Sequence, residues 1–360
     1  MIIPAIVAIF IPIGFMYLVR WLDLYASGSF KTVLICFGWG LAAFFLSLQV
    51  NNGALSIIRN FNIIATLIAP IVEEILKSLV LVYFVRRPEF TYFVDGAIYG
   101  FAAGTGFAVI ENLHYLSTGG ADSGLLVALS RVFSTSLMHG SASALVGIAL
   151  GRLRFGRGSR RLLSVLLGWV SAMTVHLTFN NLVNSQGSMV TLVLLVVIGL
   201  GGVGLVAAFI FWGLSEERKW LHDTLKSSVG VSREESSIVQ KLEDLNTLLV
   251  PIGQHFGEEK RKLVEHLLHL EAQLGLKVKT QSLTPDPKLR ESLGTQITDI
   301  RQQIDQMQHK IGLSCMTLVR MIIPNDAVSM LERLQTLEVK ETLTKGSIWN
   351  IQSKSADKAN

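Results

Sequence analysis

The chain has 360 residues, half of them hydrophobic, and a formal net charge of +5. The excess belongs to residues 1–213, where twelve Lys and Arg face seven acids (Asp23, Glu73, Glu74, Glu89, Asp95, Glu111 and Asp122); the remainder balances twenty basic against twenty acidic residues. A basic excess that sits in short loops between apolar segments argues against a nucleic-acid partner, and two distant cysteines, Cys36 and Cys315, support neither a disulfide framework nor a metal knuckle.

Seven apolar segments are predicted to be membrane helices, at about 1–19, 32–50, 61–85, 93–117, 125–150, 162–183 and 189–213. Each is near the ~20 residues a helix needs to cross the hydrocarbon core. None alternates as a membrane β-strand does, so the predicted fold is all-α, a polytopic membrane helix bundle. The first segment has no basic leading region and no small-residue cleavage site, and Pro4 and Pro12 interrupt it, so it reads as a retained span. The loops after segments one, three and five carry Arg20, Lys31, Arg86, Arg87, Arg152, Arg154, Arg157, Arg160 and Arg161, whereas the even-numbered loops hold only Arg59. This asymmetry predicts a multi-pass cell-membrane protein with its N-terminus outside and its C-terminal region in the cytoplasm.

Two domains are expected, a membrane domain over 1–213 and a cytoplasmic helical tail over 214–360, opening with Glu216-Glu217-Arg218-Lys219 at the interface. A helical stretch is expected over about 236–275, broken near Pro251, and Pro285 and Pro287 separate it from a second helix. There Leu293, Ile297, Ile300, Ile304, Met307 and Ile311 alternate spacings of four and three, the seam of a coiled coil or amphipathic helix. The plainest reading is a solvated helical hairpin without chemistry; the other is self-association or partner binding through tail helix 289–311.

Polar residues interrupt four of the apolar segments. Segment three carries Glu73, Glu74 and Lys77. Charges at membrane depth are rare unless they face a protein interior or a wet cavity. Both Glu–Lys spacings meet on a helix with Glu on the N-terminal side. One carboxylate is expected to neutralise Lys77, leaving the other for chemistry; the bland alternative is an ion pair that fixes packing. In segment four, Gly96, Gly100 and Gly104 recur every fourth residue, a small-residue stripe that admits a neighbouring helix closely, and Glu111 falls on that stripe, followed by Asn112. Segment five repeats the spacing with His139, Ser143, Gly147 and Gly151, and segment six with Gly168, Ala172, His176 and Asn180. A lone buried histidine is usually a satisfied core residue. Two of them on neighbouring segments beside buried acids favour a shared site. Straight helices at ~1.5 Å per residue put Glu73 roughly 16 Å, His139 roughly 20 Å and His176 roughly 10 Å below the outer surface, a spread that favours a cavity open toward the outer half.

Carboxylates and imidazoles around a cavity suit water activation. The histidines could bind a metal or donate to a developing oxyanion, and Asn180, one turn from His176, could do the latter as a neutral donor. Neither H-E-x-x-H nor G-x-S-x-G occurs. Glu73 is favoured over Glu74 as base because an i,i+4 contact with Lys77 would hold it.

These motifs resemble those of PrsW-type intramembrane proteases. Glu73-Glu74-x-x-Lys77 is similar to the first motif. Asp95-Gly96-x-x-Tyr99-Gly100 through Gly104-x-Gly106-Phe107-Ala108 to Glu111-Asn112 is similar to the second. His139 with Gly147 is similar to the third, and His176-x-x-x-Asn180 to the fourth. The family belongs to the larger group of CAAX-processing and bacteriocin-processing membrane proteases. The resemblance spans about residues 60–185 and implies a bacterial intramembrane endopeptidase acting on membrane-anchored proteins, anti-sigma factors among them. It implies a catalytic region of Glu73, Glu74, Glu111, His139, His176 and Asn180, supported by Lys77, Asp95 and Asn112. It also implies either a glutamate-activated water or a divalent metal such as zinc, with His139, His176 and Glu111 as its candidate ligands. Two readings of other classes stand beside it: a proton- or ion-coupled transporter, and a non-catalytic scaffold that recruits partners through the 293–311 seam.

Overall fold

A computed structural model describes residues 2–23, 28–118, 124–155, 159–185, 188–228 and 245–321. Asp122, Arg157, and tail residues 236–244 and 322–360 lie outside the described residues. Among those described, every regular element is a helix. The membrane-level helices are α1 (Ile2–Trp21), α2 (Phe30–Ile58), α3 (Phe61–Ile63), α4 (Ala69–Phe84), α5 (Phe93–Thr118), α6 (Leu125–Arg131), α7 (Leu137–Phe155), α8 (Ser159–Asn184) and α9 (Met189–Ser228). A π-helical turn, π1 (Ile64–Ile68), joins α3 to α4, and a second, π2 (Val132–Ser136), joins α6 to α7.

Among the described residues, six helical stretches are long and apolar enough to cross a bilayer, making this a multi-pass membrane protein. The seventh expected span, 61–85, is helical from Phe61 to Phe84, but π1 divides it and Glu73, Glu74 and Lys77 lower its hydropathy. Its polar face, with Glu73, Glu74 and Lys77, is buried against other helices, while Leu67, Ile75, Leu79 and Tyr83 are exposed. Helix α5 is the axle, with 94% of its apolar window buried. The glycine stripes explain how. A Cβ at Gly96 would overlap the Gly147 carbonyl, one at Gly100 that of Ser143, and one at Gly104 that of His139. The α5 and α7 stripes therefore lie against each other, backbone to backbone. On its other side α5 meets α2, where Gly40 abuts Ala103 and Gly106 abuts Phe37. Close backbone approach replaces the hydrophobic driving force that lipid removes.

The tail holds α10 (Leu245–Phe256), α11 (Glu258–Leu283), α12 (Pro287–Ile311) and α13 (Leu313–Met321). The break expected near Pro251 falls instead at Gly257, whose φ of 85° only glycine adopts readily, and Pro251 lies inside α10. Asp286 caps α12 by accepting from Lys288 N at 3.0 Å, with Pro287 at the first position. The seam residues Leu293, Ile297, Ile300, Ile304 and Ile311 are all buried. Ile297, Ile300, Ile304 and Ile311 share one apolar core with Val264, Leu267, Leu268 and Leu274 of α11, and Met307 packs against it. The seam is thus consumed inside the chain, which corrects the expectation that 289–311 presents it to a partner or a second copy. Helix α9 continues without interruption through the expected boundary at 213/214.

Candidate active site

Each polar side chain owes its position to local chain geometry. Both π turns lie immediately before helices that carry the site: π1 precedes α4 with Glu73, Glu74 and Lys77, and π2 precedes α7 with His139. A π turn inserts an extra residue and rotates the helix beyond it. The two turns therefore re-aim the side chains beyond them, and the groups expected at different depths are in contact.

Glu74 is the hub. Its Oε1 accepts from Lys77 Nζ at 2.5 Å and lies 2.9 Å from His176 Nδ1, with the Glu74 and Lys77 side chains fully buried. The Lys77 partner is therefore Glu74 at i,i+3, correcting the expected i,i+4 pairing with Glu73. Lys77 Nζ also lies 2.9 Å from His139 Nδ1 and 4.7 Å from the Phe107 ring centre. An ammonium only donates and a carboxylate only accepts, which fixes the role of Nδ1 in both imidazoles. His139 accepts at Nδ1 and presents Nε2–H to Glu111 Oε2 at 3.1 Å. His176 donates Nδ1–H to Glu74, and its Nε2 lies 3.7 Å from Glu73 Oε2. The two rings meet edge to face with centroids 4.7 Å apart.

Glu111 forms a second focus. Arg131, at the end of α6, donates Nη2 to Glu111 Oε2 and Nε to Asn112 Oδ1, each at 3.0 Å, and lies over the Tyr115 ring. Asn112 in turn donates to Ser136 Oγ of π2 at 2.7 Å. Exposure is graded across the cluster. Side-chain values are 16% for Glu111 and 12% for Glu73, but only 1–2% for His139 and His176.

Among the described residues, one group offers metal-ligand atoms from three side chains: Glu73, His139 and His176, all within 4.8 Å of one another. Nitrogen and carboxylate oxygen donors suit a zinc-class ion. Tetrahedral bonds of about 2.0–2.1 Å place donors roughly 3.4 Å apart, so the group closes with side-chain shifts of about an ångström. His176 turns Nε2 toward Glu73, whereas His139 would have to give up one of its two present contacts, to Lys77 at Nδ1 or to Glu111 at Nε2, before that nitrogen could ligate. Glu74 stands behind His176 as the outer contact that orients such a ligand. The carboxylate that converges with the histidines is Glu73, while Glu111 is engaged by Arg131 and His139.

Two residues singled out from sequence lie apart from this cluster. Asn180 donates to the Ala65 carbonyl at 2.9 Å and its neighbour Asn181 to Thr66 at 3.3 Å, so both brace carbonyls of π1. Asp95 accepts from Thr91 N at 2.6 Å and Tyr92 N at 3.3 Å at the start of α5, sixteen residues or about 24 Å of helix from Glu111. Sequence reasoning misses Arg131 because it lies inside an apolar segment rather than in a loop. It also misses Trp39 and Trp169, whose indole N–H groups grip α4 at Leu76 O and Ser78 Oγ, each at 2.9 Å. A lone Arg in an apolar run eight residues before His139 is a readable signal for the first. Nothing in the spacing marks the two indoles.

Residues 28–213, just over half of the chain, match the family described as PrsW family intramembrane metalloprotease. The Protease PrsW of Geobacillus kaustophilus (strain HTA426) is 30% identical over 142 residues, which are 39% of this chain and 61% of that protein. The chain thus spans less than two thirds of that relative's length. No solved structure matches.

Proposed function

Because the chain belongs to the PrsW family, we propose that it is an intramembrane endopeptidase that cuts membrane-anchored proteins, anti-sigma-factor-like ones among them. The observation that carries this reading is the convergence of the buried side chains of Glu73, His139 and His176, whose ligand atoms lie within 4.8 Å of one another. These three would hold a divalent metal such as zinc, which would supply a polarised water and Lewis-acid assistance to the peptide carbonyl. Glu74 orients His176 by accepting its Nδ1–H, and Lys77 neutralises Glu74. Both bonds to Glu111 fall on Oε2, so its second oxygen is free to take a proton from water as general base. Glu73 is the rival for that role where no metal is bound. Asn180 serves the helix start, and we assign it no oxyanion contact.

The N-terminus is taken to be outside and the tail cytoplasmic. This is supported by the basic loops, since Arg154 meets the backbone after α4 at the same end of the bundle where α11 docks.

The test combines metal analysis of purified protein with cleavage of co-expressed single-pass substrates. Zinc at one equivalent and cleavage blocked by 1,10-phenanthroline are expected. Glu73→Gln and His176→Ala should each remove both metal and cleavage while insertion persists. Undiminished cleavage in both variants would overturn the assignment.

A further inference from the structure

The link between α4 and α5 is held by side chains borrowed from distant parts of the chain. Its carbonyls have no helix to satisfy them and need other donors. Arg154, buried at the end of α7, donates to the carbonyls of Arg87 (2.9 Å) and Phe90. Tyr99 of α5 donates to Glu89 O at 3.1 Å. Tyr92 is held from α9, by its hydroxyl bond to Glu216 and by ring contact with Trp220 at 4.4 Å. The Pro88 carbonyl is taken by Lys277 Nζ at 3.1 Å, from α11 of the tail, 189 residues further on. Lys277 is 9% exposed, so this contact lies inside the junction between tail and membrane domain.

The link matters because of what it joins. Helix α4 carries Glu73, Glu74 and Lys77, and α5 carries Glu111 and Asn112. At its far end α4 starts from π1, whose wider turn breaks the regular hydrogen-bond ladder. Two indoles grip its middle. A helix with a loosened start has its axial position set by the grips along it and by the anchor at its other end. Packed helices shift by about 1–2 Å between alternative arrangements, and a misplacement of about 1 Å can lower a rate by about 10²-fold.

We propose that Lys277 is a positioning residue: by capping Pro88 it makes the tail part of the device that sets α4 against α5, and so sets Glu73, Glu74 and Lys77 against Glu111. This rests on the peptidase reading of the site. It gives the tail a role beyond a solvated appendage, because docking of α11 is felt at the site through one backbone carbonyl.

The test uses the full chain in nanodiscs with Lys277→Met and Lys277→Arg, read by amide exchange over residues 85–95, by kcat and KM for a single-pass substrate, and by zinc affinity. In Lys277→Met, exchange at the Thr91 and Tyr92 amides rises, kcat falls about tenfold and KM holds, because the spans that bind substrate are untouched. Zinc affinity falls in step. Lys277→Arg restores all three. Unchanged exchange in Lys277→Met overturns the docking, and faster exchange with unchanged kcat and zinc affinity overturns the coupling. Should the wild-type chain cleave nothing, zinc affinity decides. A fall in Lys277→Met that Lys277→Arg restores keeps the coupling and rejects the peptidase reading; an unchanged affinity rejects the coupling.

Discussion

The Glu74–Lys77 pair gives the sharpest energetic test, since both side chains are fully buried at a separation of 2.5 Å. At an effective permittivity of about 20, the attraction at that distance is about 6–7 kcal/mol. Most of it offsets the desolvation of the two ions, so the pair as a whole adds little. Removing one partner leaves the other charge stranded, which costs about 3–5 kcal/mol. Lys77→Met should incur that loss, because Glu74 keeps only His176 and His139 loses the donor to Nδ1. Glu74→Gln should incur a similar loss by stranding Lys77. Glu74→Gln/Lys77→Met removes both charges and should be more stable than the sum of the single variants allows, by about 2 kcal/mol or more. Unfolding in mixed micelles by titration with sodium dodecyl sulfate, followed by far-ultraviolet circular dichroism, measures all four corners of the cycle. Additivity within about 0.5 kcal/mol would refute the reasoning.

Asn180→Ala should cost about 1–2 kcal/mol of stability, the value of one buried amide bond to Ala65 O. Its single-turnover cleavage should stay within a few-fold of wild type, whereas a lost oxyanion donor would slow it by about 10²–10³. Gly104→Ala places a methyl group on the His139 carbonyl, while Gly201 has open space around it. Zinc titration and cleavage should therefore both be weakened in Gly104→Ala and both unchanged in Gly201→Ala.

The packing of α5 on α7 is legible in the sequence because small residues every fourth position leave few alternatives on a membrane helix, and Gly96, Gly100 and Gly104 meet their partners as that spacing implies. The identity of the Lys77 partner is not. Helical spacing allows either i,i+3 or i,i+4, and the choice of Glu74 comes from a third residue, His176, placed by another helix. Depth is illegible because hydropathy fixes neither span ends nor tilt, and it carries no mark of the facing set by the wider turns at Ile64–Ile68 and Val132–Ser136. The spacing of Asn180 to His176 suggests a site donor, but its acceptor is a carbonyl of one of those turns. The tail seam is readable as a helix face, and only the fold shows that α11 covers it.

The graded exposure of the cluster has a practical consequence for anyone probing it with reagents. Glu73 and Glu111 are the more exposed members of the cluster, and Arg131 offsets one of their charges. The imidazoles lie behind this anionic lip, almost fully buried. A polyanionic sequestering agent such as EDTA is repelled at the entrance and does not partition into the bilayer, whereas a neutral aromatic diimine does. Resistance to the first with sensitivity to the second is the signature such a pocket should give, and insensitivity to EDTA alone says nothing about whether an ion sits inside.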